Sequence, residues 1–186
     1  MPTDTPHLVA SPYRWYHELK QLFVQSLERC RAGERSPARH YTNEQIGYLA
    51  SIGLSPQEFF DFADDHTRYD GDPDWETTLL TNAVRREYFL GVQKGQASAK
   101  QVAMGSLPTK GAQLGGIPWL PRLIKKAEAK LRGEMPAELM YGCSGDRGFF
   151  REHRLSQPDF LRLVWLTNSD EGRILEYVKT GQFPPL

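Results

Sequence analysis

The chain has 186 residues, 39% of them hydrophobic and 11% aromatic, which is enough to bury a core and excludes wholesale disorder. Lys plus Arg and Asp plus Glu balance at 23 each, so no global field draws in nucleic acid, an anionic membrane or an acidic substrate. The balance is uneven along the chain: residues 1–100 hold 11 basic and 14 acidic side chains, and residues 101–186 hold 12 and 9.

Ser11 followed by Pro12 reads as an N-cap and first helical residue, where the missing proline N–H costs nothing. Trp15, Tyr16, Leu19, Leu22, Phe23, Leu27 and Cys30 recur every three or four residues and predict a long helix with one buried face, closed by Gly33. After an Arg-, Ser- and Pro-rich loop, Thr42-Asn43-Glu44-Gln45 has the form of a capping box opening a short helix as far as Ser51. Gly53 ends that helix. Ser55-Pro56-Gln57-Glu58 opens the next with a second capping box and a proline at the first position, and Phe59, Phe60, Phe62 and Ala63 are its core residues.

Asp64-Asp65-His66 diverge around the end of that helix, so they read as a solvated or capping cluster rather than a metal site. Tyr69 to Glu76 is the most acidic stretch, and Asp70, Asp72 and Asp74 suggest a calcium loop. The glycine and glutamate such a loop needs at its sixth and twelfth places are here Trp75 and Thr81, which rejects it. The spacing instead predicts Asp72 as N-cap and Pro73 as first residue of a helix carrying Trp75, Leu79, Ala83, Tyr88 and Val92 to Gly95.

Gln96 to Gly116 is small, polar and glycine-bearing, the composition of a linker or long surface connection. A second helical series opens at Pro118 or Pro121. Its first helix has Leu120, Leu123, Ile124, Ala127 and Leu131 on one face, Arg122, Lys125, Lys126, Lys130 and Arg132 around the rest, and a stop at Gly133. Tyr141-Gly142-Cys143-Ser144-Gly145-Asp146 precedes a short helix to Arg154. Ser156 with Asp159 opens another, and Ser169-Asp170-Glu171 caps a last helix bearing Ile174, Leu175 and Val178, ended by Gly181. No period-two strand is apparent, so the expected fold class is all-α.

GYLASIGLSPQEFFDF, Gly47 to Phe62, returns as GFFREHRLSQPDFLRL, Gly148 to Leu163, with Gly47, Leu54, Ser55 and Phe59 meeting Gly148, Leu155, Ser156 and Phe160. Extended backwards, Leu27 to Glu34 meets Ala127 to Glu134 and Tyr41 meets Tyr141. The expected organisation is therefore two tandem, divergent units of about four helices each: residues 11–95, a connection at 96–116, and residues 117–181.

KGAQLGGIPWLPRLIKKAEAKLRG from Lys110, Tyr141 with Cys143 and Asp146 in YGCSGD, the pair Phe149-Phe150, and SDEGRILEYV near the end carry a resemblance. From Lys110 onward the chain resembles a bacterial family known as a domain of unknown function, numbered five-zero-six-nine. The first half resembles it only through the internal repeat. After Cys143 the family's common Pro-Leu pair is replaced by Ser144-Gly145. The resemblance implies the helical unit and brings no activity with it.

Only Cys30 and Cys143 are present, at non-equivalent places in the repeat, so no disulfide framework is expected. MPTDTPHLVA lacks the basic start and apolar run of a signal peptide, and no segment approaches eighteen unbroken apolar residues, so the expectation is a cytoplasmic protein with no membrane partner. There is no CxxC pair, HExxH, P-loop, GxGxxG or Gly-x-Ser-x-Gly, and no cofactor or metal is expected. The candidate ligand-binding residues are Trp119, Arg122, Tyr141, Cys143 and Asp146, with Arg122 and Asp146 expected to pair or to face a carboxylate or phosphate together. The leading expectation is a binding or interaction module for a small molecule or protein. The alternative is a catalytic or thiol-reactive protein using Cys143 and Asp146. There Cys143 lies near a helix N-terminus with His153 or His40 as base, against the plainer reading of a small buried hydrophobe. A third reading lets the Arg122 to Arg132 helix follow a phosphate backbone with Trp119 stacking on a base.

Overall fold

A computed structural model of the protein describes residues 14–183 and 185, and the cap expected at Ser11 and Pro12 lies outside them. Among the described residues the elements are α1 (Trp15–Arg31), α2 (Pro37–His40), α3 (Asn43–Ser51), α4 (Pro56–Arg68), α5 (Trp75–Gly91), β1 (Gln113–Leu114), β2 (Ile117–Pro118), α6 (Leu120–Arg132), α7 (Ser144–His153), α8 (Gln157–Leu166) and α9 (Glu171–Thr180). The fold is all-α apart from one hairpin. Gly115 and Gly116 both take positive φ, the conformation a two-residue hairpin turn requires, and Gln113 pairs with Pro118 and Leu114 with Ile117. Strands of two residues are too short to leave a period-two signal.

Local chemistry sets most helix starts. Thr42 and Ser55 each form the full capping box: Gln45 N donates to Thr42 Oγ1 at 3.3 Å, and Glu58 N to Ser55 Oγ at 3.1 Å. The acidic loop departs from expectation. Asp74, not Asp72, caps α5 by accepting from Thr77 N at 2.8 Å, because the Asp72 carboxylate is held by Arg147 and Arg151 of α7.

Two apolar clusters form. Leu19, Phe23, Leu49, Phe59 and Phe62 centre the first; Leu120, Leu123, Ile124, Phe160, Leu161 and Ile174 centre the second. Each such side chain contributes about 1.5–3 kcal/mol on full burial. α5 stands between them and packs against α1, α6 and α8; Val84 belongs to the second cluster, whereas Trp75 and Leu79 pack on the first.

α5 buries more than the apolar face that its periodicity suggested, because polar side chains join Val84 and Phe89 inside. Thr78, Thr81, Asn82 and Arg85 are buried, while Val92 is exposed. Thr78 Oγ1 donates to Asp74 O and Arg85 to Gln93 Oε1, whereas Asn82 and Thr81 are answered across a seam: Lys130 Nζ donates to Asn82 Oδ1 at 3.1 Å and to Glu58 Oε1 at 3.3 Å, and Gln157 Nε2 to Thr81 Oγ1 at 3.2 Å. Glu58 thus caps α4 with one oxygen and anchors α6 with the other. Residues 96–116 are tied to the segment just past the end of α6, with Val102 N donating to Glu134 O at 2.9 Å and Leu107 buried. No helix among the described residues is long and apolar enough to cross a membrane.

Candidate functional site

Three of the five residues singled out in the sequence meet at the N-terminus of α7. Cys143 is the N-cap, and Asp146, three residues on, reaches back to accept from Gly142 N at 2.9 Å. Its other oxygen accepts from Trp119 Nε1 at 2.9 Å. Trp119 occupies the N-cap of α6 in a left-handed conformation, half-buried, with its ring against Gly145. Lys126 completes the cluster: Nζ forms an ion pair with Asp146 and donates to Cys143 Sγ at 3.2 Å. Lys126 and Asp146 are both buried, so each is the other's charge compensation.

The other two residues lie apart from this cluster. Arg122 does not meet Asp146; it donates to Pro108 O at 2.9 Å, because Lys126, one turn further along α6, takes the carboxylate first. Tyr141 is a core residue whose hydroxyl donates to Gln157 O at 2.8 Å, and burial pushes its phenol well above the ordinary value. Lys126 was missed because it reads as surface charge. A signal was present: Leu123, Lys126, Ala127, Lys130 and Leu131 follow the i, i+3, i+4, i+7, i+8 stripe of a buried helix face.

Neither histidine proposed as a base reaches the thiol. His153 stacks on Phe149 and His40 contacts Glu34 O and Phe60, while Lys126 is the hydrogen-bond partner of Sγ among the described residues. The basic helix offers no row of free cations for a phosphate backbone either. Lys126 and Lys130 are buried in ion pairs, Lys125 and Arg132 pair with Glu128, and Arg122 holds Pro108 O. Among the described residues no group of three His, Cys, Asp or Glu is placed to hold a metal ion.

The opposite end of α7 builds a cleft. Arg147 is 5% exposed and donates Nε to Asp72 at 2.8 Å and Nη1 to Asp65 at 2.6 Å and to Gly142 O at 2.7 Å. Asp65 is therefore an ion-pair partner of α7 rather than part of a solvated or capping cluster, and burial pushes its carboxyl up against the pull of Arg147. Arg151 joins at the same oxygen of Asp72, at 2.8 Å. These ion pairs tie α7 to the α4–α5 loop. With the first turns of α5 and α8 they line an open cleft of about 670 Å³, the size of a small-ligand site. Glu76, Thr77 and Leu80 form one wall; Phe150, Arg154, Leu155, Gln157 and Pro158 form the other.

The Trp119, Cys143 and Asp146 positions that carry this geometry fall in one family segment. Residues 108–184 match the family described as Domain of unknown function (DUF5069). The DUF5069 segment supplies α6 to α9, and with them the α7–α8 wall of the cleft; the α5 wall and Asp72 precede it. No curated protein and no solved structure matches the chain.

Proposed function

We propose that the protein is a binding module without catalytic turnover, and that a small molecule or short protein segment occupies the cleft between α5 and the α7–α8 corner. The cleft itself carries this reading: it has ligand-site volume, both halves of the chain wall it, and Arg147 holds those walls together. Its lining is arginine, carboxylate, hydroxyl, amide and apolar side chains, with neither cysteine nor histidine among them. The same reading treats the halves as divergent copies of one helical unit in the cytoplasm. The order α1, α3, α4, α5 against α6, α7, α8, α9, the buried Tyr41 and Tyr141, and two free cysteines support it. Ligand-observed NMR with a small-fragment collection tests the binding site. Fragments should bind, be recovered unchanged, and lose binding to a Thr77→Trp variant that fills the cleft. Hits indifferent to Thr77→Trp, or consumed by the protein, would overturn the reading.

One observation favours a second reading, a reactive thiol. Cys143 is partly exposed, caps α7, and has the Lys126 ammonium at 3.2 Å, surroundings found around reactive cysteines. This reading expects iodoacetamide to label Cys143 well ahead of buried Cys30, and Lys126→Met to slow the labelling. Equal rates in wild type and Lys126→Met would dismiss it.

A further inference from the structure

The charges and apolar surface of the cleft are arranged for a particular kind of ligand. Three arginines line it, Arg147, Arg151 and Arg154, against two carboxylates, Asp72 and Glu76. One oxygen of Asp72 serves both Arg147 and Arg151, so the carboxylates are shared out thinly. Arg154 is exposed, and its side chain has no ion-pair or hydrogen-bond partner among the described residues. It occupies the left-handed C-cap of α7 (φ 54°), a position where glycine is the less strained choice. Directly after it α8 begins, with Ser156 as N-cap, presenting the positive end of a ten-residue helix to the cleft.

A second observation is independent of these charges. Leu80, 43% exposed, with Leu155 and Pro158, supplies apolar surface in the same cleft.

We infer that the cleft takes a small organic oxyanion with an apolar body. The carboxylate, sulfonate or phosphate head is held by Arg151 and Arg154, and the body lies against Leu80, Leu155 and Pro158. This rests on the binding reading above and names its ligand class.

The test uses two fluorescent probes of one ring skeleton, 8-anilinonaphthalene-1-sulfonate and its uncharged parent N-phenyl-1-naphthylamine, titrated into the full chain. The sulfonate should bind wild type about tenfold or more tightly than the parent. The Arg151→Gln/Arg154→Gln variant should lose most of that advantage, while Leu80→Asp weakens both probes. Arg154→Gln alone, which breaks no ion pair or side-chain hydrogen bond among the described residues, should lose part of it. Equal affinity of the two probes for wild type, or an advantage that survives both arginine variants, would overturn the anion inference. If Leu80→Asp still weakened both probes in that case, the binding reading would stand without it. If Leu80→Asp affected neither probe, the cleft would not be the site and both would fall.

Discussion

Replacing Asp146 by Asn keeps the shape of the side chain and removes its charge, which isolates the buried ion pair with Lys126. Asp146 is 0% and Lys126 2% exposed, so the orphaned ammonium has no water to turn to. Breaking a buried pair from one side typically costs about 3–5 kcal/mol. Asn can still accept from Trp119 Nε1, so the lower end, about 3 kcal/mol, is the expected loss. In a chain of this length each kcal/mol moves the melting temperature by about 2–4 °C, giving a fall of roughly 6–12 °C. Circular dichroism melts and urea titrations would measure it. Adding Lys126→Met to Asp146→Asn should cost much less than the sum of the single changes, since the charge left unpaired is then removed. Arg122→Ala is the control: it loses one bond to a carbonyl and should cost about 1 kcal/mol. A loss below about 1 kcal/mol for Asp146→Asn, or strict additivity with Lys126→Met, would refute the argument.

Three further outcomes are expected. Burial pushes the Asp61 carboxyl up to about 7, with Asp65 and Glu58 adding to the shift and Gln57 and Lys130 opposing it. An unfolded Asp titrates near ~3.9, so between about pH 4 and 7 the native state holds a proton the unfolded chain has released. Stability therefore falls as pH rises through that window, by at most about 4 kcal/mol. Asp61→Asn should flatten the dependence and stabilise the protein above it; urea midpoints on either side of the window that move alike in both proteins would contradict this. In Gly145→Ala the new Cβ would sit 2.8 Å from Trp119 Cζ2, displacing the indole from Asp146. The cost should be about 1–3 kcal/mol, with faster solvent exchange of the Trp119 indole proton by NMR; an unchanged exchange rate would count against it. Asp72→Asn leaves Arg147 its bond to Asp65 and frees Arg151, so stability should fall by no more than about 1 kcal/mol while affinity for the anilinonaphthalene sulfonate rises. Weaker binding of that probe would refute it.

What could be read without the fold is what is decided within a turn or two of the chain. The capping boxes at Thr42 and Ser55 depend on groups three residues apart, and the stops at Gly33, Gly133 and Gly181 depend on the positive φ a glycine takes cheaply. The apolar stripes of α1, α4, α6 and α9 followed from the helical repeat, and the all-α class followed from them. The meeting of Trp119, Cys143 and Asp146 was legible only as a list of candidates. Other choices needed the partner element in place. Asp72 and Asp74 are equally good caps until Arg147 and Arg151 claim Asp72. Lys126 and Lys130 lie on the buried stripe of α6, but burying an ammonium is tolerable only where a carboxylate arrives from elsewhere, Asp146 for one and Glu58 for the other. The polar face of α5 turns inward because residues from α6 and α8 answer it. The cleft exists because α7, far along the chain, is tied by arginine to the end of α4. Caps and stripes are written locally in the sequence; charge pairing and cavities are set by which surfaces meet, and that was decided by the tertiary structure alone.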